Sequence, residues 1–230
     1  MKSMIAIIPV KQKSERVENK NFRDFFGKPL FTHVISKLQD CELISKIIIN
    51  TDCPDLQNKI PDSCTKVEVQ SRPEFLLGHH ISGSDIIKYV ISKTEGEYFL
   101  QTHVTNPLLS LKTLESAIRC YFEKLPEYDS LFSVDKILKR VYLPDGTPVN
   151  HKLTESLQTQ YLDPLYSENS NFFIFSRKSF VENNFNRIGK KPFMFEMNYI
   201  ESIDIDYIED FILASLVFEN KEKFINICFD

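Results

Sequence analysis

Two carboxylates stand two residues apart in "ESIDIDYIEDF", at Asp204 and Asp206. In an extended chain that spacing turns both to the same side. Two convergent carboxylates suit Mg²⁺, a hard ion that keeps several waters and takes its remaining ligands from phosphates. A competing reading makes Asp206, with Glu209, a capping box for the helix that follows. That reading leaves Asp204 unexplained, charged between Ile203 and Ile205. Near the other end, "VKQKSERVENKNFRDFFGKPL" (10–30) gathers Lys11, Lys13, Arg16, Lys20, Arg23 and Lys28 in a chain whose formal net charge is −4. From Lys11 to Asn21 only Val17 is apolar, so this is loop and not an amphipathic helix. A turn leaving a strand presents N–H groups to a phosphate, and basic side chains neutralise it. With no glycine before Gly27, long cationic side chains must do most of that binding. Lys20 offers a compact ammonium that bridges oxygens, and Arg16 a fork that takes two. On charge alone, a solvated basic loop is the plainer reading.

Other stretches narrow the chemistry. Arg72 leaves a predicted strand in "QSRPEFLLGHHISGSD", ahead of His79, His80 and Ser82. Adjacent histidines cannot both face one site, and no third His or Cys lies at ligand spacing, which argues against zinc. "LQTHVTNP" sets Gln101, His103, Thr105 and Asn106 at a predicted strand end, with Gln101 suited to reading hydroxyls or an amide. There is no G-x-S-x-G and no Cys with an arguable His base, so covalent catalysis has no visible nucleophile.

The elements that must position these residues alternate. Buried-strand runs stand at 4–10, 45–52, 65–72 and 97–104, and helical spacing at 31–41, 82–93 (capped by Ser82 or Ser84) and 110–122. Strands follow at 129–137, 171–177 and 191–198, then "ESIDID" (201–206) and a helix over 207–219. The pattern predicts an α/β domain: a three-layer, mainly parallel sheet with helices on both faces and ligands beyond the strand carboxyl ends. The turn-rich stretch 136–168 reads as an inserted arm, a lid or a dimer contact, within a single domain over 1–230. At 42% hydrophobic residues, with 19 Phe, the chain can bury a large core. No apolar run approaches a membrane span, and the amino end lacks a secretory pattern. Cys41, Cys53, Cys64, Cys120 and Cys228 are odd in number and scattered, which fits reduced thiols in the cytoplasm. The mildly acidic balance argues against nucleic acid as a partner.

The order of motifs resembles the acylneuraminate cytidylyltransferase family (CMP-sialic acid synthetases), with features of CMP-Kdo synthetase. "IIPVKQKSERVENKNFRDFFGKPL" stands for the opening strand, loop, Lys-Asn and Gly-Lys-Pro-Leu; "INTD" (49–52) and "SRPEFL" (71–76) follow. "HISGSD" (80–85) and Ser14-x-Arg16 are closer to Kdo synthetases. "LQTHVTNPL", "TQYLDPLYSENSNFFIF" and "ESIDIDYIEDF" complete the series over nearly the whole chain. The resemblance implies a Rossmann-like nucleotide-diphospho-sugar transferase fold and transfer of CMP from CTP to a 2-keto-3-deoxy sugar acid, with release of pyrophosphate. It implies nucleotide contacts by Lys11, Ser14, Arg16, Lys20, Asn21, Arg72 and Ser82, and acceptor contacts by Gln101, Gln160, Glu168 and Asn169. Asp204 and Asp206 would hold Mg²⁺ or Mn²⁺, with Lys20, Asp206 and Arg16 catalytic. A homodimer is also implied.

The departures fall mostly on the acceptor side. Lys11 replaces the usual Arg, and Glu15 sits where a Lys is common, with Arg16 as the compensating charge. Thr159 replaces the Arg of an Arg-Gln pair whose Gln160 is kept, and Ser170-Asn171 replaces Gly-Ala. The acceptor candidates are sialic, legionaminic or pseudaminic acid, Kdo, an amino-Kdo or another anion. A glycosyltransferase using Asp-x-Asp and a non-catalytic nucleotide-binding protein are the competing readings.

Overall fold

The computed structural model describes residues 3–78, 80–125, 127–154 and 158–221; His79 and Cys228 lie outside them. Strands β1 (Met4–Val10), β4 (Ile44–Thr51), β5 (Val67–Ser71), β6 (Tyr98–Thr102), β7 (Ser130–Ile137), β8 (Leu165–Ser176) and β9 (Pro192–Glu196) form one sheet, ordered β5-β4-β1-β6-β8-β7-β9. A two-stranded hairpin, β2 (Asp24–Phe25) and β3 (Lys28–Pro29), stands apart. Strands β5, β4, β1 and β6 are parallel, as are β7 and β9; β8 runs against both of its neighbours.

Alternation along the central strands sorts the two covering layers. Met4, Ala6, Ile8 and Val10 face α1 (Leu30–Asp40) and α3 (Leu111–Lys124), meeting Phe31, Val34, Leu38, Leu114 and Ile118. Ile5 and Ile7 face the other layer, where α2 (Gly83–Ser92) contributes Ile86, Ile87 and Val90 and the short α4 (Arg177–Glu182) contributes Phe180. Strand β8 splits likewise: Phe172 and Ile174 go to the first core, Phe173 and Phe175 to the second. Burial on both faces is why β1 and β4 read as nearly unbroken apolar runs. A third cluster joins Phe25, Leu30 and Ile205 to Ala214 of α5 (Ile208–Glu219).

Two expectations change. Residues 201–206 pair with no strand: Glu201 and Ser202 lie in a turn, and 203–206 are irregular chain, with Ile205 N bonded to Thr105 O (2.9 Å). The excursion is shorter than 136–168, because β7 and β8 stay paired out to Ile137 and Leu165. The irregular connection is 138–164, and buried Asn150 pins its described part. Its Nδ2 donates to Lys139 O (2.9 Å) and Asp163 O (3.1 Å), and its Oδ1 accepts from Val141 N (3.1 Å). Among the described residues, no helix is long and apolar enough to cross a membrane, and Cys41, Cys53, Cys64 and Cys120 are free thiols.

Candidate active site

A cleft of about 560 Å³ opens where β1, β4 and β6 end, the place where parallel sheets take ligands. Its first wall is the basic loop. Asn21, buried, donates from Nδ2 to Lys11 O (2.8 Å) and so ties the two ends of the loop together. Gln12 N donates to Asp52 Oδ1 (2.7 Å), fastening the loop to the chain leaving β4. Asn19 takes the left-handed conformation (φ 52°) before a 3-10 turn over Lys20–Phe22. Arg72 works mainly as a clamp. Its Nε donates to Asn50 Oδ1 (2.9 Å) and its Nη2 to Asn50 O (3.0 Å) and Val10 O (3.3 Å), locking the ends of β1 and β4 together. Burial lowers its pKa, and Asp52 opposes that shift.

The opposite wall is the Asp-Ile-Asp segment. Ile205 N donates to Thr105 O (2.9 Å) and its side chain enters the third cluster, so Asp204 and Asp206 on either side of it both line the cleft. Asp206 is not the helix cap. Asp210 Oδ2 accepts from Asp206 N (3.0 Å) and Tyr207 N (2.7 Å), leaving the Asp206 carboxylate to the cleft. There Arg16 Nη2 meets Asp206 Oδ1 at 2.7 Å. Lys20 Nζ lies 3.4 Å from the same oxygen and 2.5 Å from Ile205 O. Tyr207 and Asp206 both raise the pKa of Arg16. Asp204 is different. Its Oδ1 is buried without a partner, and burial, helped by Asp206 and Asp210, raises its pKa against a bond from Thr105.

The floor carries a polar chain. Arg187 Nη1 donates to Gln101 Oε1, and Gln101 Nε2 lies 2.9 Å from His103 Nε2. Because arginine has no acceptor, the amide oxygen must face it; the amide nitrogen then donates to His103, whose proton sits on Nδ1. Burial, with Arg187 and Lys20, pushes the imidazole down to about 4, so it is neutral at physiological pH.

The cleft thus brings Lys11, Ser14, Arg16, Lys20, Asn21 and Arg72 together with Gln101, Asp204 and Asp206. Ser82, Gln160, Glu168 and Asn169 are not among its lining residues. The Ser82 hydroxyl is engaged in the cap of α2, donating to Asp85 Oδ2 (2.6 Å) and accepting from Asp85 N (3.1 Å). Gln160 is exposed on the arm. Asn169 donates to Asp135 Oδ1 (2.9 Å), and Glu168 accepts from Ser170 (3.1 Å). Directly after them β8 bulges: Ser170 adopts φ 56° and enters the cleft, at the position where the resemblance sets a Gly.

Arg187 is the residue that sequence reasoning missed. Its segment "NNFNRIGKK" has no periodicity; the only signal is a cluster of cations in turn-rich chain. The loop is anchored to the start of β7. Gly189 N donates to Ser130 Oγ (2.7 Å), and Lys190 N and Lys191 N donate to the Asp129 carboxylate (2.8 and 3.1 Å). A Cβ at Gly189 would lie 2.0 Å from Asp129 Oδ1. Gly189→Ala is therefore expected to destabilise the fold by about 1–3 kcal/mol, read as a lowered denaturant midpoint. An unchanged midpoint would mean that this anchor is dispensable.

Sequence comparison reaches the same set of elements. A profile described as cytidylyltransferase matches residues 5–224. The N-acylneuraminate cytidylyltransferase of Escherichia coli O18:K1:H7 is 25% identical over 232 residues, covering 96% of this chain and 53% of that protein. The pseudaminic acid cytidylyltransferase of Campylobacter jejuni is 22% identical over 231 residues, 94% of this chain and 96% of that one. The chain therefore spans about half the length of the first relative and nearly all of the second. A solved structure of CMP:2-keto-3-deoxy-manno-octonic acid synthetase, complexed with CTP, superposes with a TM-score of 0.67 at 13% identity, over 95% of this chain and 99% of that one; at that identity the likeness is one of fold. With the family profile matched along almost its entire length, this chain belongs to the cytidylyltransferase family.

Proposed function

We propose that this protein transfers CMP from CTP to the anomeric hydroxyl of a 2-keto-3-deoxy sugar acid. One observation carries the reading: a basic loop and a carboxylate pair, nearly two hundred residues apart, form opposite walls of one cleft. The family match favours nucleotidyl transfer over an Asp-x-Asp glycosyltransferase. The relatives named above suggest N-acylneuraminate or pseudaminic acid as acceptor, and the superposed synthetase suggests 3-deoxy-manno-octulosonate.

In the reaction the acceptor hydroxyl oxygen bonds to the α-phosphorus, the bond to the β-phosphate oxygen breaks, pyrophosphate leaves and the hydroxyl proton is lost. Such a displacement needs positioning and charge neutralisation more than a covalent nucleophile. Lys11, Ser14, Arg16 and Lys20 bind the triphosphate, and Asn21 and Arg72 keep their loop and strand ends in place. Triphosphate oxygens replace Asp206 as the partners of Arg16 and Lys20, which releases the Asp206 carboxylate. The residues fit a divalent ion. Asp204 holds a buried oxygen with no partner, and the Asp206 carboxylate lines the same cleft. That donor set suits Mg²⁺ or Mn²⁺, ions that keep waters and accept phosphate oxygens, and Asp204 and Asp206 would hold it. When bound, the ion supplies charge stabilisation at the phosphates and acidifies the attacking hydroxyl.

The apolar residues Leu143, Val149, Leu153 and Tyr161, exposed on the arm, support a homodimer through that segment, and the free thiols support a cytoplasmic setting. Light scattering that gives a monomer mass at micromolar concentration would overturn the dimer.

The reading is tested with CTP and Mg²⁺ in a pyrophosphate-release assay over the three acids named above. CTP at one hundred times its Kd adds about 2.7 kcal/mol of stability, a rise of roughly 5–10 °C in Tm for a chain of this size. ATP, GTP and UTP at equal concentration should give much smaller shifts. Equal shifts for all four nucleotides, or no pyrophosphate with any acid, would refute the reading.

A further inference from the structure

Arg187 lies outside every motif that carries the family resemblance, yet it is a cation of the cleft whose charge no acid among the described residues balances at contact distance. Arg16 and Lys20 meet Asp206, and Arg72 is committed to Asn50 and the backbone. Arg187 meets only the neutral oxygen of Gln101 among the described residues. Its guanidinium carbon sits 4.0 Å above the centre of the Phe173 ring, a contact that fixes the plane of the fork. Burial lowers its pKa, and Glu168 counters this without forming an ion pair. Among the described residues none of its other nitrogens is both fully buried and unpartnered, and the residue lines the cleft together with Gln101 and Ser170. A half-desolvated guanidinium, held rigid on a ring and an anchored loop, is built to receive an anion. The triphosphate is already matched by the cations of the basic loop, which leaves Arg187 for a second anion.

We propose that Arg187 binds the carboxylate of the acceptor and is the residue that makes this site specific for sugar acids. The proposal rests on the cytidylyltransfer reading above. Gln101 is held by the same guanidinium, so its amide and the acceptor acid share one fixed platform at the end of β6. Phe173, paired with Gln101 across β6 and β8, supplies the base of that platform. The acceptor carboxylate then sits over the floor formed by Gln101 and Phe173, while the triphosphate takes the cations of the basic loop. The two anions of the reaction are kept on separate charges.

The test compares the active acceptor acid with its methyl ester, in wild type, Arg187→Gln and Arg187→Lys. Wild type should prefer the acid by about 30-fold or more in kcat/KM, the size expected of a charge-assisted fork. Arg187→Gln should raise the KM for the acid by a similar factor and abolish the preference over the ester. Arg187→Lys should restore part of the preference without the full fork geometry. The Kd for CTP, measured by calorimetry, should change less than threefold in both variants, which a general collapse of the site would not allow. If wild type turns over and Arg187→Gln keeps the acid-over-ester preference, the subsite is wrong and the reaction stands. If wild type turns over none of the three acids, the reaction itself fails and the subsite falls with it.

Discussion

Replacing Asp206 by asparagine is expected to lower pyrophosphate release about 10³-fold with little change in Tm. The structure separates the two effects. Had Asp206 capped α5, its loss would have cost helix stability as well; Asp210 accepts both N–H bonds there instead. The ion pair of Asp206 with Arg16 joins two partly exposed side chains and contributes no more than about 1 kcal/mol. On the proposed function the carboxylate would serve to hold the divalent ion beside the cations that take the triphosphate. A steady-state assay beside a thermal melt checks this, and turnover within tenfold of wild type would remove Asp206 from the reaction.

Asp204→Asn should move stability and activity in opposite directions. Burial raises the Asp204 pKa above the value of about 3.9 that it has in unfolded chain. The folded protein therefore holds that proton more tightly than the unfolded chain does. The stabilising contribution is fully present below the unfolded pKa and is lost as pH rises through the raised folded value. Ionising Asp204 in the folded protein therefore works against folding, with one buried oxygen unpartnered. Asparagine keeps the shape, still accepts from Thr105 and carries no charge. The ligand-free variant should melt higher than wild type at pH 7–8 and lose the fall in stability that wild type shows on leaving the acid range. Its turnover should drop about 10²–10³-fold, because at the proposed metal site a neutral amide would not balance a divalent ion. A variant less stable than wild type at neutral pH would show that Asp204 is satisfied within the fold.

How much of this was legible in sequence follows from what each element is asked to do. Strands β1 and β4 announce themselves because burial on both faces demands nearly continuous apolar runs, and α2 because of its helical spacing after a capping hydroxyl, which is that of Ser82 and not of Ser84. The carboxylate pair was legible too, although for a partly different reason: residues 201–206 join no sheet, and alternation survives because Ile205, with Ile203 packed beside the same cluster, is drawn inward. The direction of β8 was not legible, since side-chain periodicity is the same whichever way a strand runs. The hairpin over 24–29 and the six-residue α4 are too short to leave a period. Glu209 and Asp210 are adjacent acids, and sequence alone could not choose which of them closes the first turn of α5. Arg187 was invisible because its place depends on Asp129 and Ser130, nearly sixty residues earlier, holding the loop that carries it.

The placement of β8 also bears on how the polypeptide is made. This strand enters between β6 and β7 but is synthesised after both. Until Ser176 has emerged from the ribosome, the nascent amino-terminal half ends in a β6 whose outer hydrogen-bonding row has no neighbour. Open strand edges of that kind template association between chains. The stretch of translation between Thr102 and Ser176 is thus the interval in which this protein is most prone to aggregate, and the interval in which chaperone cover would serve it best.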